Sequence, residues 1–244
     1  MLILALDTTT GGGSCALMRD DRIVREDASD SSRSHAARLP GELVSLLERE
    51  AVALADIDGL AVGVGPGSFT GLRVGIATMQ GLAVALNRPL FGVSALDALA
   101  TLAIDGSGPI TRPDPPHGPE SARAVTDGPV ATWIDAWRGE VYASVYEHGA
   151  EVEPPTVAAP EQVLRRLAGR STLFTGDGAE VHREAIRAAL GHHARFTEPV
   201  MPLLAGAMAG LAAKDFRAGR RPLPHAIRPL YVRRSDAELA RDQA

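Results

Sequence analysis

"VATWIDAWRGEVYASVYEHG", residues 130–149, repeats the plan of "LILALDTTTGGGSCALMRDD", residues 2–21. Each runs from an apolar strand to an aspartate, a short turn containing glycine, and a second alternating strand. Asp7, Gly11 and Ala16 stand against Asp135, Gly139 and Ala143. The sequel is repeated too. In the first half come a third strand ("RIVREDA"), a helical pattern at Leu39, Leu43, Leu46 and Leu47, and the buried strand "GLAVGV". A helix from about Thr70 to Leu86, the strand "PLFGV" and the helix "SALDALATLAI" close it. In the second half come an extended stretch, the helix "PEQVLRRLAG", the strand "STLFTGDG", and the helices "AEVHREAIRAAL" and "PLLAGAMAGLAAKDF". The order predicts an α/β chain of two duplicated βββαβα lobes, each a mixed sheet covered by helices. Residues 1–104 make the first lobe and 129–244 the second, with a C-terminal helix and tail. Between them, 105–128 is rich in Pro, Gly, Ser and charge and reads as a flexible loop, having too little apolar surface to offset its ordering entropy. Pro40 restricts where the helix after the third strand begins.

Composition narrows the function classes. The 244 residues carry a formal charge of −5, without the basic surplus of a stand-alone nucleic-acid binder. The start, "MLILALDTTT", reaches Asp7 with no basic segment before it, unlike a signal peptide, and no apolar run approaches about 20 residues. A cytoplasmic protein with no membrane contact is expected. Cys15 is the sole cysteine and lies in an apolar strand, which excludes internal disulfides and favours a structural role. Lys214 is the sole lysine.

The stretch "GVGPGSFTGLRVG", residues 63–75, joins the strand "GLAVGV" to the longest helix with five glycines and a proline. Such a turn commonly holds a phosphate on unpaired helix-start N–H groups. The three standard motifs fail here. A P-loop lacks its lysine, G-x-G-x-x-G ends on Thr70, and G-x-S-x-G breaks at Pro66. Gly65 and Gly67 instead permit a tight turn, with Ser68 or Thr70 capping the helix. Within the helix Gly71 stacks on Gly75, and Ala77, Gly81 and Ala85 form a second small-residue line. Each helical glycine costs about 1 kcal/mol against alanine, which calls for a neighbour packed close to the backbone. That neighbour is either internal or another subunit.

"GPGSFTGLRVG" followed by "ATMQGLA" resembles the signature of the TsaB (YeaZ-like) family, which serves in making threonylcarbamoyladenosine in tRNA. "LALDTTT", His35 with Leu39-Pro40, "VSALDALA", "DAWRGEVYASVY", "TGDG" and "PLYVRR" follow in that family's order across nearly the whole chain. The chain departs from the family in the length of its Pro-rich 105–128 segment and in Trp137, where many relatives carry Arg. The resemblance implies an actin-like (sugar kinase/Hsp70/actin) fold and a non-catalytic paralogue of TsaD that binds and activates TsaD. TsaD transfers the threonylcarbamoyl group to the adenosine beside the tRNA anticodon. The further partners implied are TsaE, an ATPase, a second copy when the chain is alone, and tRNA only through the complex. TsaD carries a metal-binding H-x-x-x-H where this chain has Ala95 and Leu99, so no metal and no catalytic residue is expected. The partner interface is expected on the helix after the glycine turn, at Gly71, Arg73, Gly75, Thr78 and Gly81.

The alternative is an actin-like ATPase or small-molecule kinase using the inter-lobe cleft. Asp7 and Asp135 end equivalent strands, and Thr8, Thr9 and Thr10 can form a phosphate-facing hairpin. As cofactor-binding residues, Asp7, Thr8, Thr9 and Asp135 describe a vestigial nucleotide cleft. No cofactor is expected to bind tightly, with ATP or ADP held only weakly or within the complex. The plainer reading ends each strand with an aspartate and a polar turn. His35 reads as a cap or packed residue, Asp177 as turn chemistry, and adjacent His192 and His193 lack metal-ligand spacing. Arg228, Arg233 and Arg234 form a small basic cluster that would suit tRNA or an acidic partner, beside the plainer reading of solvated surface.

Overall fold

The computed structural model describes residues 1–30, 35–105 and 128–233. The loop expected over 105–128 lies, but for its ends, outside the described residues, as do Arg234 and the side chain of His35.

The first half forms β1 (Leu2–Asp7), β2 (Ser14–Arg19), β3 (Arg22–Ala28), α1 (His35–Arg49), β4 (Gly59–Gly65), α2 (Phe69–Leu86), β5 (Leu90–Ser94) and α3 (Ala95–Asp105). The second forms β6 (Val130–Asp135), β7 (Val141–Glu147), β8 (Ala150–Ala158), α4 (Pro160–Arg166), β9 (Thr172–Thr175), α5 (Asp177–Val181), α6 (Arg183–Leu190), β10 (Ala194–Phe196) and α7 (Ala205–Arg217). The two sheets have the orders β3-β2-β1-β4-β5 and β8-β7-β6-β9-β10. Replacing β1 to β5 by β6 to β10 turns one into the other. The duplication extends to register, since Ala5 pairs with Ala16 and Trp133 with Ala143. Asp7 faces Ser14 while Asp135 faces Val141, so the second turn is one residue shorter.

Three details differ from expectation. Each half is βββαβαβα, because the three-residue β10 completes the second sheet. The helix expected over "AEVHREAIRAAL" is two short helices meeting at His182. Helix α1 begins before Pro40 and runs through it. Pro40 is exposed, while Leu39, Leu43, Leu46 and Leu47 are buried against the first sheet and hold the helix despite the lost N–H.

The lobes exchange their last helices. Helices α1 and α2 cover one face of the first sheet, and α7 from the second half covers the other. There Ala205, Ala209, Ala212 and Ala213 lie on Ile3, Ala5, Ala16, Ala61 and Phe91, with alanine allowing close approach. Helix α3 crosses the other way, placing Leu96 and Leu99 in a cluster with Ile134, Ala136 and Tyr142 of the second half. The start of α7 is capped from the other lobe. Ser14 Oγ accepts from Leu204 N–H (3.3 Å) and Ala205 N–H (3.0 Å), and Glu26 Oε1 from Gly206 N–H (2.8 Å). After α7 the chain returns as a strap along α2. Leu90 N–H donates to Pro222 O (3.3 Å), Gln80 Nε2 to Pro224 O (2.8 Å), and Leu230 N–H to Val64 O (2.7 Å). Among the described residues α2 alone has the length and apolar composition to cross a membrane. Its buried face, with Leu72, Ile76, Met79 and Ala83, lies inside the first lobe.

Candidate functional site

Strands β1 and β6 hold equivalent places in the two sheets, and each ends on an aspartate that binds the N–H two residues on. Asp7 Oδ1 accepts from Thr9 N–H (2.8 Å) and Thr9 Oγ1 (2.6 Å), and Asp135 Oδ1 from Trp137 N–H (3.0 Å). Both are aspartate-closed turns, the local chemistry that makes Asp a strand terminator. The two sites differ in exposure. Asp7 is 2% exposed and Thr8 and Thr9 are fully buried, whereas Asp135 is half-buried. Burial pushes the Asp7 carboxyl up, and its bonds to Thr9 oppose this.

The glycine turn explains that burial. Gly65 (φ +111°) and Gly67 (φ +152°) adopt backbone that glycine favours, and Ser68 Oγ accepts from Gly71 N–H (3.2 Å) as the helix cap. A Cβ on Gly67 would meet Thr9 O at 2.1 Å, and one on Gly75 would meet Thr8 Oγ1 at 2.2 Å. Ser68 N–H donates to Thr9 O at 2.7 Å. The threonine turn is thus seated in the glycine turn, and a backbone carbonyl occupies the place where a phosphate oxygen would accept. On the other side, Gly63 brings Thr9, Asp7 and Met208 of α7 together, all within 3.2 Å of a Cβ built there.

This geometry corrects two expected interface residues. Gly71 and Gly75 are buried, and Gly75 faces Thr8 rather than solvent, so neither offers a contact to another subunit. The other small-residue line points outward. Ala77, Gly81 and Ala85 are exposed beside Arg73 and a 68% exposed Val84, and nothing lies within 4 Å of a Cβ on Gly81. Thr78 is half-buried and gives its hydroxyl to Val74 O (2.8 Å).

Asp177 carries more than turn chemistry. As the first residue of α5 it accepts Asp135 N–H at 3.0 Å, joining the second lobe's two loop ends. Burial, with Asp135 and Asp7 nearby, raises its carboxyl to about 6. A "TGDG" turn gives no sign of this, because the shift arises from residues distant in sequence. Ala95 and Leu99 are buried, and Leu99 reaches to within 3.0 Å of a Cβ built on Gly176. Among the described residues no group of three or more His, Cys, Asp or Glu side chains is placed to hold a metal. His192 and His193 have ring centroids 4.0 Å apart on a surface turn. Cys15 is buried, with its thiol pushed up to about 12 by desolvation.

A family model described as TsaD, tRNA N6-adenosine threonylcarbamoyltransferase, matches residues 27–115. The chain is 33% identical over 250 residues to the Escherichia coli tRNA threonylcarbamoyladenosine biosynthesis protein TsaB, covering 97% of this chain and 96% of that one. The chain belongs to the TsaB family. An uncharacterized Mycobacterium leprae protein is 31% identical over 97% of the chain, which spans 56% of that longer relative. A solved Pseudomonas aeruginosa protein with similarity to peptidase YeaZ superposes with a TM-score of 0.71 at 28% identity, covering 95% of this chain and 99% of that one. The Acidaminococcus fermentans (R)-2-hydroxyglutaryl-CoA dehydratase component A superposes with a TM-score of 0.51 at 11% identity, over 90% of this chain and 100% of that one, a likeness of fold. The actin-like α/β fold of two duplicated lobes follows. The seated threonine turn and the outward α2 face are therefore features of a TsaB chain.

Proposed function

We propose that this chain is a non-catalytic, cytoplasmic subunit that binds and activates TsaD in threonylcarbamoyl transfer to the adenosine beside the tRNA anticodon. The observation that carries the reading is the outward α2 line of Ala77, Gly81 and Ala85, an apolar helix face open to solvent. Such a face lets a partner helix approach the backbone closely, and Arg73 stands at its end. TsaE is the further partner, and a second copy of the chain takes the face when TsaD is absent. The test is co-purification of the chain with TsaD from its own organism, followed by a mass measurement of the complex. A complex of defined stoichiometry that modifies tRNA is expected. Chains that do not associate at micromolar concentration overturn the reading.

The rival kinase or ATPase reading draws on Asp7, Asp135 and Asp177 at one end of the two lobes. Its phosphate would have to displace the Thr9 carbonyl, so ATP or ADP is expected to bind weakly, or only in the complex. Calorimetry giving micromolar ATP affinity, with magnesium-dependent hydrolysis lost in Asp7→Ala, favours the rival.

A further inference from the structure

The chain has ten aromatic residues, and all but three are largely buried. Of those three, Phe69 (49% exposed) and Tyr231 (49%) meet at the C-terminal strap, and Trp137 (53%) follows the residue to which the strap is clamped. At its end Tyr231 stands over the start of α2, its ring 5.6 Å from Phe69. Two residues on, Arg233 Nη1 donates to Ala136 O at 2.9 Å and pairs with Glu140, clamping the strap to the turn that carries Trp137. That turn holds Trp137 at φ +54°, backbone that glycine or asparagine adopts more readily, with its ring toward solvent.

Charge collects along the same path. Between Lys214 and Arg233 the chain has six basic residues and one acid, against −5 for the whole. Some of these cations are neutralised locally, as Arg217 by Asp21 and Arg220 by Asp215. Among the described residues, two cations on this rim bind only uncharged oxygens. Arg73 donates to Tyr231 Oη (3.2 Å) with its guanidinium 3.7 Å above the Phe69 ring, and Arg228 donates to Ile227 O (3.0 Å) and His225 O.

We infer that this rim binds a single-stranded stretch of RNA, its bases stacking on Tyr231 and Trp137 and its phosphates at Arg73 and Arg228, with Phe69 packed beneath Arg73 and beside Tyr231. Half-exposed aromatic faces interleaved with arginine suit unstacked bases on an anionic backbone. An acidic peptide would use the arginines but leave the planar faces of Tyr231 and Trp137 without flat partners. The inference rests on the tRNA-modification reading for the identity of the RNA, while its test does not depend on TsaD. It also leaves the line Ala77, Gly81 and Ala85 free for a protein partner.

The experiment uses the full chain and a fluorescein-labelled RNA hairpin with a seven-base loop, read by anisotropy, beside a fully paired duplex and a poly-glutamate peptide. The hairpin is expected to bind with a dissociation constant between about 10⁻⁴ and 10⁻⁶ M, and two phosphate contacts give a salt slope of about −1.4. Arg228→Gln should flatten that slope by about 0.7. Tyr231→Ala and Trp137→Gly should each weaken the hairpin roughly tenfold without affecting the duplex. Both sites are exposed, and glycine suits the Trp137 backbone, so circular dichroism melts should match the parent. Hairpin and duplex binding alike, poly-glutamate displacing the RNA, or no saturation by 10⁻⁴ M overturns the inference. Co-purification of the parent chain with TsaD keeps the two readings apart, since a parent that forms the complex but does not bind the hairpin defeats only this one.

Discussion

Gly75 and Gly81 occupy one helix six residues apart, on different faces, and meet opposite fates. A methyl at Gly75 would lie 2.2 Å from the hydroxyl of fully buried Thr8, and neither α2 nor β1 can yield without disturbing the first sheet. Gly75→Ala should therefore cost roughly 1–3 kcal/mol in urea unfolding. Gly81→Ala meets open space and should gain up to about 1 kcal/mol from helix propensity. An equal response at both sites would show that the seated turn is not what requires glycine. With TsaD, Gly81→Leu should weaken association roughly tenfold to a hundredfold while the monomer melts normally. Asp177 gives a test by pH. Its carboxyl stands at about 6 in the folded protein against 3.8 for the free group. Below pH 4 the group is protonated folded or unfolded and costs nothing. Between 4 and 6 the unfolded chain ionises while the native one keeps its proton, so stability falls as pH rises. Above 6 the cost is constant, at roughly 3 kcal/mol. Asp177→Asn keeps an oxygen for the Asp135 N–H and should match the parent near pH 4, then gain stability through pH 6. A difference independent of pH would refute it. Asp7 and Asp135 were legible as strand ends from sequence alone. Asp177 was not, because its environment comes from strands and helices remote in the chain.

Helix α7 shows how an element depends on residues nearly two hundred positions away. Ser14 accepts two of its first N–H groups, and the Glu26 carboxylate sits at its positive end. Burial raises the Glu26 carboxyl, opposed by its bond to Gly206 N–H. Ser14→Ala should cost about 1 kcal/mol, seen as a lower urea midpoint, by leaving two buried donors unmet. A variant as stable as the parent would mean that other acceptors replace it. The apolar spacing of "PLLAGAMAGLAAKDF" announced the helix but not the sheet it covers, since periodicity specifies a buried face without naming its neighbour. Strand β10 escaped notice for a different reason. Three residues reading Ala-Arg-Phe are too few to alternate, and their pairing to β9 is supplied by the sheet already formed.

At the scale of the molecule, the duplicated plan in residues 2–21 and 130–149 carried through to identical strand orders. What the repeat did not carry was the exchange of α3 and α7, which makes each half the cover of the other's sheet. A fragment ending at Asp105 should therefore be aggregation-prone alone and should recover native circular dichroism when mixed with residues 128–244. A monomeric, cooperatively melting 1–105 fragment would contradict this. The exchange also sets a schedule for synthesis. Strands β1 to β5 leave the ribosome complete by Ser94, yet the alanine face of α7 that shields them begins at Ala205. At about 5–20 residues per second, the nascent first sheet stays uncovered on that side for roughly 5–20 s. During that interval Ile3, Ala5, Ala61 and Phe91 lack their native cover, so the growing chain should be captured by chaperones that bind near the exit tunnel, and an alanine-face cover supplied in trans should lower that capture.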